Sequence, residues 1–445
     1  MDSRFRGNDR KGISLFTVFK SDAMPLTLHI KPPPPCAECG YEPVFHGLER
    51  MSIIVDSVID PLLWPIAKIG QFAVPTMESL ADAAAPLCAR VLTHIGLSTM
   101  LDVPDTRVNE TTQCLWEEAK KRGIVMKEWR LFGLPRRLFI AKFRGRTIVF
   151  EGLPRLPRIQ KSLAWIDNKA KLKKRFMREG FPVARGGVCK NEKGAVRLFK
   201  RLRPPIVAKP HMGSGGRHTA VHIESEEDVR NAFLNARKLS PSVVLEEELY
   251  GPAVFRATLI AKKLVAVLRR DPPTVLGDGK RAIQELIEKE NRNPLRKGPV
   301  FAYIPLENPM LEAELNRQGL GKNSIPRKGQ RVPLHFKVNW GVGGTSHDVT
   351  EDVHPMNKQL FDDIGWCLGN DIVGIDFMIR DISVPWVTED RCGVIECNGL
   401  PLIGNHHFPF TGPVRNVAGA VWDMVFPGSA EKKGQPDTTD YVAKK

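Results

Sequence analysis

Lys209 and the glycines that follow it are the residues whose type and spacing most clearly suggest chemistry. An apolar run over 206–208 predicts a short strand that ends at Lys209 and is stopped by Pro210. A glycine-rich segment then supplies four candidate ligand-binding residues: Gly213, Ser214, Gly215 and Gly216. Backbone N–H groups of such a loop, together with one ammonium group, can surround the oxygens of a polyphosphate. The spacing matches neither a P-loop nor a dinucleotide-binding turn, so an ordinary glycine-rich hairpin is the alternative.

Lys169 is a second candidate for binding an anion. It lies in the first turn of a helix predicted to begin at the N-cap Asp167 and to end at Gly180. A lysine in that position opposes the helix dipole, which points to an anionic partner. The alternative is a solvent-facing lysine, because the same helix contains a short basic cluster: Lys171, Lys173, Lys174 and Arg175.

Three oxygen-bearing side chains near the end of the chain predict a metal site. Apolar alternation over 373–377 turns Asp376 to the opposite strand face, and the run 394–398 places Glu396 and Asn398 on one face. If the two strands are neighbours, these residues form an all-oxygen ligand set of the kind that holds Mg²⁺. The alternative is isolated polar residues on solvated strands.

Cysteine and histidine do not predict a second metal site. The eight cysteines are too scattered for a disulfide framework. Cys36 and Cys39 form a C-x-x-C pair, but no second pair with the spacing of a structural zinc site accompanies it. Two histidine pairs lack a third ligand at a recognisable spacing: His218 with His222, and His406 with His407. The ligand count therefore does not favour zinc.

The elements that position these residues are those of an α+β protein. A helix is expected over 112–122, followed by strand-like runs over 124–129, 137–143 and 146–150. Further strands end in Glu246-Glu247-Glu248, where one carboxylate could accept an adenine amino hydrogen, and in Arg269-Arg270. Residues 291–329 are polar and contain proline, which predicts a long mobile loop.

Composition restricts the class of protein. The chain has 445 residues, of which 42% are hydrophobic and 26% charged, which is ordinary globular material. The net charge of +16 favours anionic partners, but lysine and arginine are spread along the chain, so phosphates and carboxylates are expected rather than nucleic acid. No run reaches the roughly 18 apolar residues of a membrane span. The scattered cysteines favour a cytoplasmic location, and a homo-oligomer is left open.

Several segments, in order and with their spacing, resemble the ATP-grasp superfamily. The matching segments are 167–169, 180–183, 207–210, 276–287, 343–350, 374–376 and 395–398. The resemblance extends over about 159–427 and is strongest to the ATP-grasp modules of cyanophycin synthetase and of the bifunctional glutathione-forming ligase. It implies an α+β ATP-grasp fold, with two subdomains gripping a nucleotide, and an ADP-forming carboxylate–amine ligase that uses an acyl phosphate.

The resemblance also implies roles for individual residues. Lys169 and Lys209 would hold the phosphates of ATP, and the loop from Gly213 to Gly216 would close over them. Glu246 matches the glutamate that meets adenine, and Arg270 matches an arginine near the transferring phosphoryl group. The remaining matches are to the ligands of magnesium, expected as two ions: Asp376, Glu396 and Asn398.

The chain departs from the ATP-grasp pattern at three points. Pro252-Ala253-Val254 follows Gly251 where a ribose-binding carboxylate is usual, and the segment 398–402 lacks the usual glycine after its proline. No Mur-ligase-like module follows, so a complete cyanophycin synthetase is not expected. Two alternatives stay open: an ATP-grasp kinase, and a catalytically weak nucleotide- or nucleic-acid-binding protein, which the charge of +16 would suit.

Composition and resemblance together divide the chain into five segments. The expected segments are a disordered or loosely attached leader over 1–50, short helical pieces over 51–104, a small α/β domain over 105–160, the ATP-grasp domain over 161–427 and a polar tail over 428–445. The first residues lack the apolar core of a signal peptide.

Overall fold

The structure describes most of the chain from residue 84 to residue 430. The computed structural model describes residues 36, 45–48, 50, 51, 84–103, 109–131, 134–156, 166, 169–211, 216–298 and 302–430. Most of the predicted leader and tail, the expected N-cap Asp167, and Gly213, Ser214 and Gly215 of the glycine loop lie outside these residues.

The first sheet has four antiparallel strands in the order β1-β2-β3-β4. The strands are β1 (Ser98–Leu101), β2 (Val125–Leu131), β3 (Leu134–Phe143) and β4 (Arg146–Glu151). Helix Glu110–Lys121 packs on this sheet, and Asn109 caps it by accepting the backbone N–H of Thr112. Gly123 ends the helix with φ of 68°. The helix and the three strands after it agree with the expectation from the sequence.

The first sheet shares a core with the end of the chain. Helix Val417–Val425 brings Trp422 against Phe150, with ring centroids 6.1 Å apart. The indole N–H of Trp422 also donates to the carbonyl of Leu115 at 2.9 Å. Because Trp422 is fully buried, the N-terminal sheet and the C-terminal helix stabilise one another.

The second sheet carries the predicted lysine strand. Its strands are β5 (Gly186–Cys189), β6 (Ile206–Pro210), β7 (Ala220–Ile223) and β8 (Val243–Glu247), in the antiparallel order β5-β8-β6-β7. Helices Glu192–Phe199 and Glu226–Ala236 pack on it. Ser225 caps the second helix by accepting the N–H of Asp228 at 3.1 Å.

The third sheet has five strands in the order β13-β10-β9-β14-β15. Its strands and those of a small ribbon are β9 (Val254–Ile260), β10 (Lys263–Asp271), β11 (Thr274–Leu276), β12 (Arg331–Pro333), β13 (Thr345–Asp348), β14 (Ile372–Met378) and β15 (Gly393–Asn398). Val373, Ile375 and Phe377 share a core with helix Pro355–Leu368, as the apolar alternation predicted.

The expected long loop over 291–329 is wrong. A 3-10 helix, Pro294–Lys297, and an α-helix, Pro309–Arg317, lie within it. Leu311 and Leu315 are buried against helix Ile283–Asn291, because residues four apart lie on one face of a helix. A window that is polar on average can therefore still form a packed helix.

No helix in the described part of the chain is both long enough and apolar enough to cross a bilayer.

Candidate active site

A cavity of about 350 Å³ lies between the second sheet and helix Lys169–Glu179. Lys169 and Lys173 line it from the helix, Lys209 from β6 and Glu246 from β8. Most of the other lining side chains are apolar, including Val188, Val244, Val394 and Ile395. The volume falls within the range of small-molecule sites, about 300–1,000 Å³.

Glu246 is the centre of a buried charged cluster in this cavity. Lys209 Nζ donates to one carboxylate oxygen and Lys173 Nζ to the other. The side chains of Lys209 and Glu246 are 11% and 10% exposed. Burial opposes ionisation, but Lys209 and Lys173 outweigh it and lower the pKa of Glu246 to about 2. Two cations thus share one anion, and the cluster carries an excess of positive charge.

The segment Gly180–Val183 joins the cavity to the third sheet. Val394 donates its backbone N–H to the carbonyl of Pro182 at 2.9 Å, and Val183 forms an isolated parallel bridge with Val394. A Cβ on Gly393 would lie 2.9 Å from the same carbonyl, so the approach requires glycine. The helix that carries Lys169 and the strand that carries Glu396 are held together by this contact.

The predicted oxygen ligands lie on neighbouring strands. Asp376 of β14 is opposite Glu396 of β15, and Gly374 is opposite Asn398. The side-chain amide of Asn398 donates to Glu396 Oε1 at 3.4 Å. The register shifts after the Asp376 pair, so Ile395 falls outside the ladder, and it lines the cavity. A bulge at this point lets one strand serve both the cavity and the acidic face.

Two arginines of the third sheet hold Asp376. Arg256 of β9 binds both of its carboxylate oxygens: Nε donates to Oδ1 at 2.5 Å and Nη2 donates to Oδ2 at 2.9 Å. Arg270 Nη1 of β10 lies 3.7 Å from Oδ1. Burial opposes the ionisation of Asp376, but Arg256 and Arg270 overcome it and lower its pKa. We call Asp376, Glu396, Asn398, Arg256 and Arg270 the acidic-strand cluster.

Gly374 makes room for this cluster. A Cβ at this position would lie 2.8 Å from Cβ of Pro401 and 3.3 Å from Cδ of Arg256. The missing side chain therefore leaves room for the stem of Arg256, which is opposite Asp376 in the register of β9 and β14. This gives a packing reason for the glycine of the segment Gly374-Ile375-Asp376.

The predicted site residues fall into two groups. Lys169, Lys209 and Glu246 line the cavity. Arg270, Asp376, Glu396 and Asn398 belong to the acidic-strand cluster. Of the predicted glycine loop, the structure describes only Gly216, which has φ of 65° and lies against the side chain of Lys337.

The sequence reasoning missed Lys173 and Arg256. The sequence places Lys173 in a basic cluster that is expected to face solvent. Its side chain is nevertheless only 18% exposed and binds Glu246. Its spacing of four from Lys169 on one helix was the available signal. Arg256 interrupts the apolar strand β9, and a charge inside such a run usually has a buried partner.

Known proteins provide a comparison for this geometry. No protein-family model matches the chain. The chain is 32% identical over 334 residues to cyanophycin synthetase of Trichormus variabilis, an alignment that covers 73% of this chain and 36% of that protein. It is 33% identical over 237 residues to the glutathione biosynthesis bifunctional protein GshAB of Clostridium perfringens, covering 52% of this chain and 30% of that protein.

A solved structure is similar over much of the described chain. The crystal structure of a bifunctional glutathione synthetase from Pasteurella multocida matches with a TM-score of 0.53 at 26% identity, covering 72% of this chain and 44% of that one. The chain has an ATP-grasp fold. The α+β class and the resemblance of its motifs to ATP-grasp ligases are thereby confirmed. The chain spans about a third of the length of the curated relatives, 36% for the cyanophycin synthetase.

Proposed function

We propose that this ATP-grasp chain is an ADP-forming carboxylate–amine ligase that makes an amide or peptide bond on an amino acid or short peptide. One observation carries the proposal: a cavity in which Lys173 and Lys209 bind the carboxylate of Glu246 borders β15, which also supplies Glu396 and Asn398 to the acidic-strand cluster. The names of the relatives, cyanophycin synthetase and a glutathione biosynthesis protein, support amide-forming chemistry.

The cavity suits a nucleotide. Lys169 and Lys209 would bind the phosphates, and the glycine loop from Gly213 to Gly216 would close over them. Apolar walls such as Val244 and Ile395 suit the faces of a base. When phosphates draw the lysines away from Glu246, its carboxylate becomes available to accept the amino hydrogen of adenine.

The acidic-strand cluster fits magnesium. Asp376, Glu396 and Asn398 offer carboxylate and amide oxygens, the donors that Mg²⁺ prefers, and the first two residues are directly opposite one another. Both Asp376 oxygens are bound by Arg256, so a metal ion there competes with this arginine. Bound magnesium, expected as two ions, would neutralise charge on the phosphates of ATP.

The proposed reaction has two steps. A carboxylate oxygen of the first substrate attacks the γ-phosphorus of ATP, the bond to the bridging oxygen breaks, and ADP leaves. An amine nitrogen then attacks the acyl carbon, phosphate leaves, and the nitrogen loses a proton to solvent. Arg270 would stabilise the charge on the transferring phosphoryl group, since its guanidinium is already beside Asp376.

We place this reaction in the cytoplasm. The scattered positions of the eight cysteines in the sequence favour this compartment. The substrates are small carboxylates and amines, such as amino acids or peptides.

The test is a substrate screen on the full chain. The purified protein is incubated with ATP, Mg²⁺ and pairs of amino acids or dipeptides, and both ADP and the coupled product are measured by mass spectrometry. Release of ADP and phosphate only when both partners are present, with a product lighter than their sum by one water, supports the ligase. ADP formation with phosphate retained on a hydroxyl overturns it in favour of a kinase.

Two variants show whether any turnover belongs to this cavity. Lys209→Met removes a lining cation and should lower turnover at subsaturating ATP by about 10–100-fold, because ATP binds more weakly. Lys193→Met changes an exposed lysine of helix Glu192–Phe199 and should leave turnover as in the natural chain. Steep salt-dependent binding to a nucleic-acid pool, with no turnover for any substrate pair, would also contradict the proposal.

A further inference from the structure

Cys36, His46 and His218 form a cluster of side chains that the assignments to ATP and magnesium do not use. One ligand atom from each residue lies within 4.8 Å of those of the other two. Cys36 Sγ is 3.5 Å from His218 Nε2, and His218 Nε2 is 3.1 Å from His46 Nε2. Among the described residues, this is the one group of three cysteine, histidine or acidic side chains close enough to share a metal ion.

The separations match the edges of a zinc tetrahedron. With Zn–N bonds of about 2.0–2.1 Å and Zn–S bonds of about 2.3 Å, a tetrahedral angle places two nitrogens about 3.3 Å apart and a nitrogen and a sulfur about 3.5 Å apart. The observed values, 3.1 Å and 3.5 Å, lie close to both. The cluster therefore has the dimensions of a zinc site as well as its ligands.

His218 is oriented in the way that metal-binding histidines usually are. Its Nδ1 lies 3.1 Å from the backbone carbonyl of Asn235 and 3.0 Å from the side-chain oxygen of the same residue. Donation from Nδ1–H to this carbonyl leaves the lone pair of Nε2 directed at Cys36 and His46. A ligating histidine is commonly held by such a hydrogen bond through its other ring nitrogen.

The backbone of His218 has an uncommon conformation, with a positive φ. The residue is fully buried and has φ of 51°, in the left-handed region that few residues other than glycine adopt. A conformation of this kind is strained for a residue with a side chain and persists where the surroundings require it. Here it directs the imidazole at Cys36 and His46.

We propose that Cys36, His46 and His218 bind a zinc ion that fastens the N-terminal segment to the second sheet. His218 lies between Gly216 and β7, and Cys36 packs against Leu239, which follows helix Glu226–Ala236. The ion would therefore hold residues near 36 and 46 on the lobe that carries the glycine loop. Thiolate and imidazole are the ligands that zinc takes in structural sites.

The ligand count from sequence missed this site because its members are far apart in the chain. Cys36 and His218 are separated by 182 positions, and His46 and His218 by 172. The spacing of Cys36 and Cys39 was the one local signal. Cys39 lies outside the described residues and is not part of the site as assigned; three ligands define it.

The test measures metal in the full chain. The protein is expressed with supplemental zinc, purified without chelator, and its metal content determined by mass spectrometry of the elements. We expect one zinc per chain in the natural protein, and loss of most of it in Cys36→Ser, His46→Ala and His218→Ala. Control variants are Cys88→Ser and His94→Ala, because both side chains are exposed and distant in sequence from the site. These should keep their zinc.

Two further readouts separate a metal site from a hydrogen-bonded cluster. Cobalt substituted for zinc should show thiolate-to-cobalt charge-transfer absorption that disappears in Cys36→Ser. Chelation should lower the melting temperature of the natural chain but not that of Cys36→Ser, a variant that removes the thiolate while leaving the buried His218 in place. An absence of zinc in the natural chain, copper in its place, or zinc retained in Cys36→Ser would overturn the proposal.

Discussion

The cavity cluster, which consists of Glu246, Lys173 and Lys209, and the acidic-strand cluster each bury a carboxylate between two cations. In the cavity, the carboxylate of Glu246 lies between Lys173 and Lys209. In the acidic-strand cluster, Asp376 is bound by Arg256 and flanked by Arg270, with Glu396 opposite. Both carboxylates are buried, and the pKa of each is lowered by its cationic neighbours against the effect of burial.

The two clusters differ in their balance of charge, because positive charge is in excess in the cavity cluster. They also differ in the cation that binds the carboxylate, which is lysine in the cavity cluster and arginine in the acidic-strand cluster. Lysine is a compact ammonium on a flexible stem, so Lys209 can move from Glu246 to an incoming phosphate. Arginine holds a carboxylate through a rigid fork, and Arg256 fixes both oxygens of Asp376. The cavity cluster is thus suited to exchange its anion, whereas the acidic-strand cluster is suited to keep the carboxylate of Asp376 ionised and oriented.

Removal of Asp376 should have the largest effect. Asp376→Ala leaves Arg256 buried without its bidentate partner, which typically costs about 3–5 kcal/mol of folding free energy. It also removes a proposed magnesium ligand, so we expect ATP turnover below detection. Urea unfolding and an ADP-release assay measure the two effects.

A second substitution sharpens the Asp376 result. Asp376→Ala combined with Arg256→Met removes the bidentate pair, and most of the lost stability should return because Arg256 is no longer left buried without its partner, while Arg270 keeps the neighbouring Glu396. Turnover should stay absent in the double variant. If the double variant is as unstable as Asp376→Ala, the pair does not act as one buried unit.

Loss of a cavity lysine should have a smaller, more specific effect. Lys209→Met removes one charge-assisted contact to phosphate, which we expect to weaken ATP binding by about 10–100-fold, from about 1.5–3 kcal/mol per such bond. Stability should change less than in Asp376→Ala, because Lys173 still binds Glu246. Isothermal titration of ATP measures the affinity, and an unchanged dissociation constant would remove Lys209 from the nucleotide site.

The sequence was informative wherever a pattern is local. Alternation over β14 and β15 predicted which face carries Asp376, Glu396 and Asn398, and the register confirms that the strands are neighbours. A helix with lysine in its first turn and a strand ending at Lys209 were likewise visible in the chain itself. Period and turn residues decide such elements, so they can be derived without coordinates.

What the sequence could not predict depends on contacts between distant residues. Asp376 and Arg256 are 120 positions apart, and Glu246 and Lys173 are 73 apart. Neither pair forms a spacing motif, and only the strand order β9-β14 and the placement of the helix against β8 create them. The error over 291–329 has the opposite origin, because average polarity concealed the apolar face of helix Pro309–Arg317.

Low pH should destabilise the folded protein by protonating Glu246 in the cavity cluster. The pKa of Glu246 is lowered from 4.5 to about 2, so its ionised form contributes stability above the ordinary pKa. That contribution should be lost as the pH falls from about 4.5 towards 2. Glu246→Gln lacks it throughout and should be less stable at neutral pH by about 1–3 kcal/mol, because it leaves two lysines poorly paired.

The pH dependence is measured by denaturant unfolding of both chains. The difference in free energy of unfolding between the natural chain and Glu246→Gln should be constant above pH 4.5 and should shrink below it. A difference that does not change with pH would mean that the carboxylate of Glu246 is not ionised by its lysines.

Glu247 should give the smallest effect and serves as the matched control. It is adjacent to Glu246 on β8, but its carboxylate binds Arg203, whose side chain is 51% exposed, rather than the cavity lysines. Glu247→Gln should change the dissociation constant of ATP by about twofold or less, below about 0.5 kcal/mol of binding free energy. Since adjacent strand residues point to opposite faces, the same substitution one position apart compares the two sides of β8. A loss of ATP affinity in Glu247→Gln as large as the 10–100-fold expected for Lys209→Met would show that side-chain direction on β8 does not decide which carboxylate serves the nucleotide.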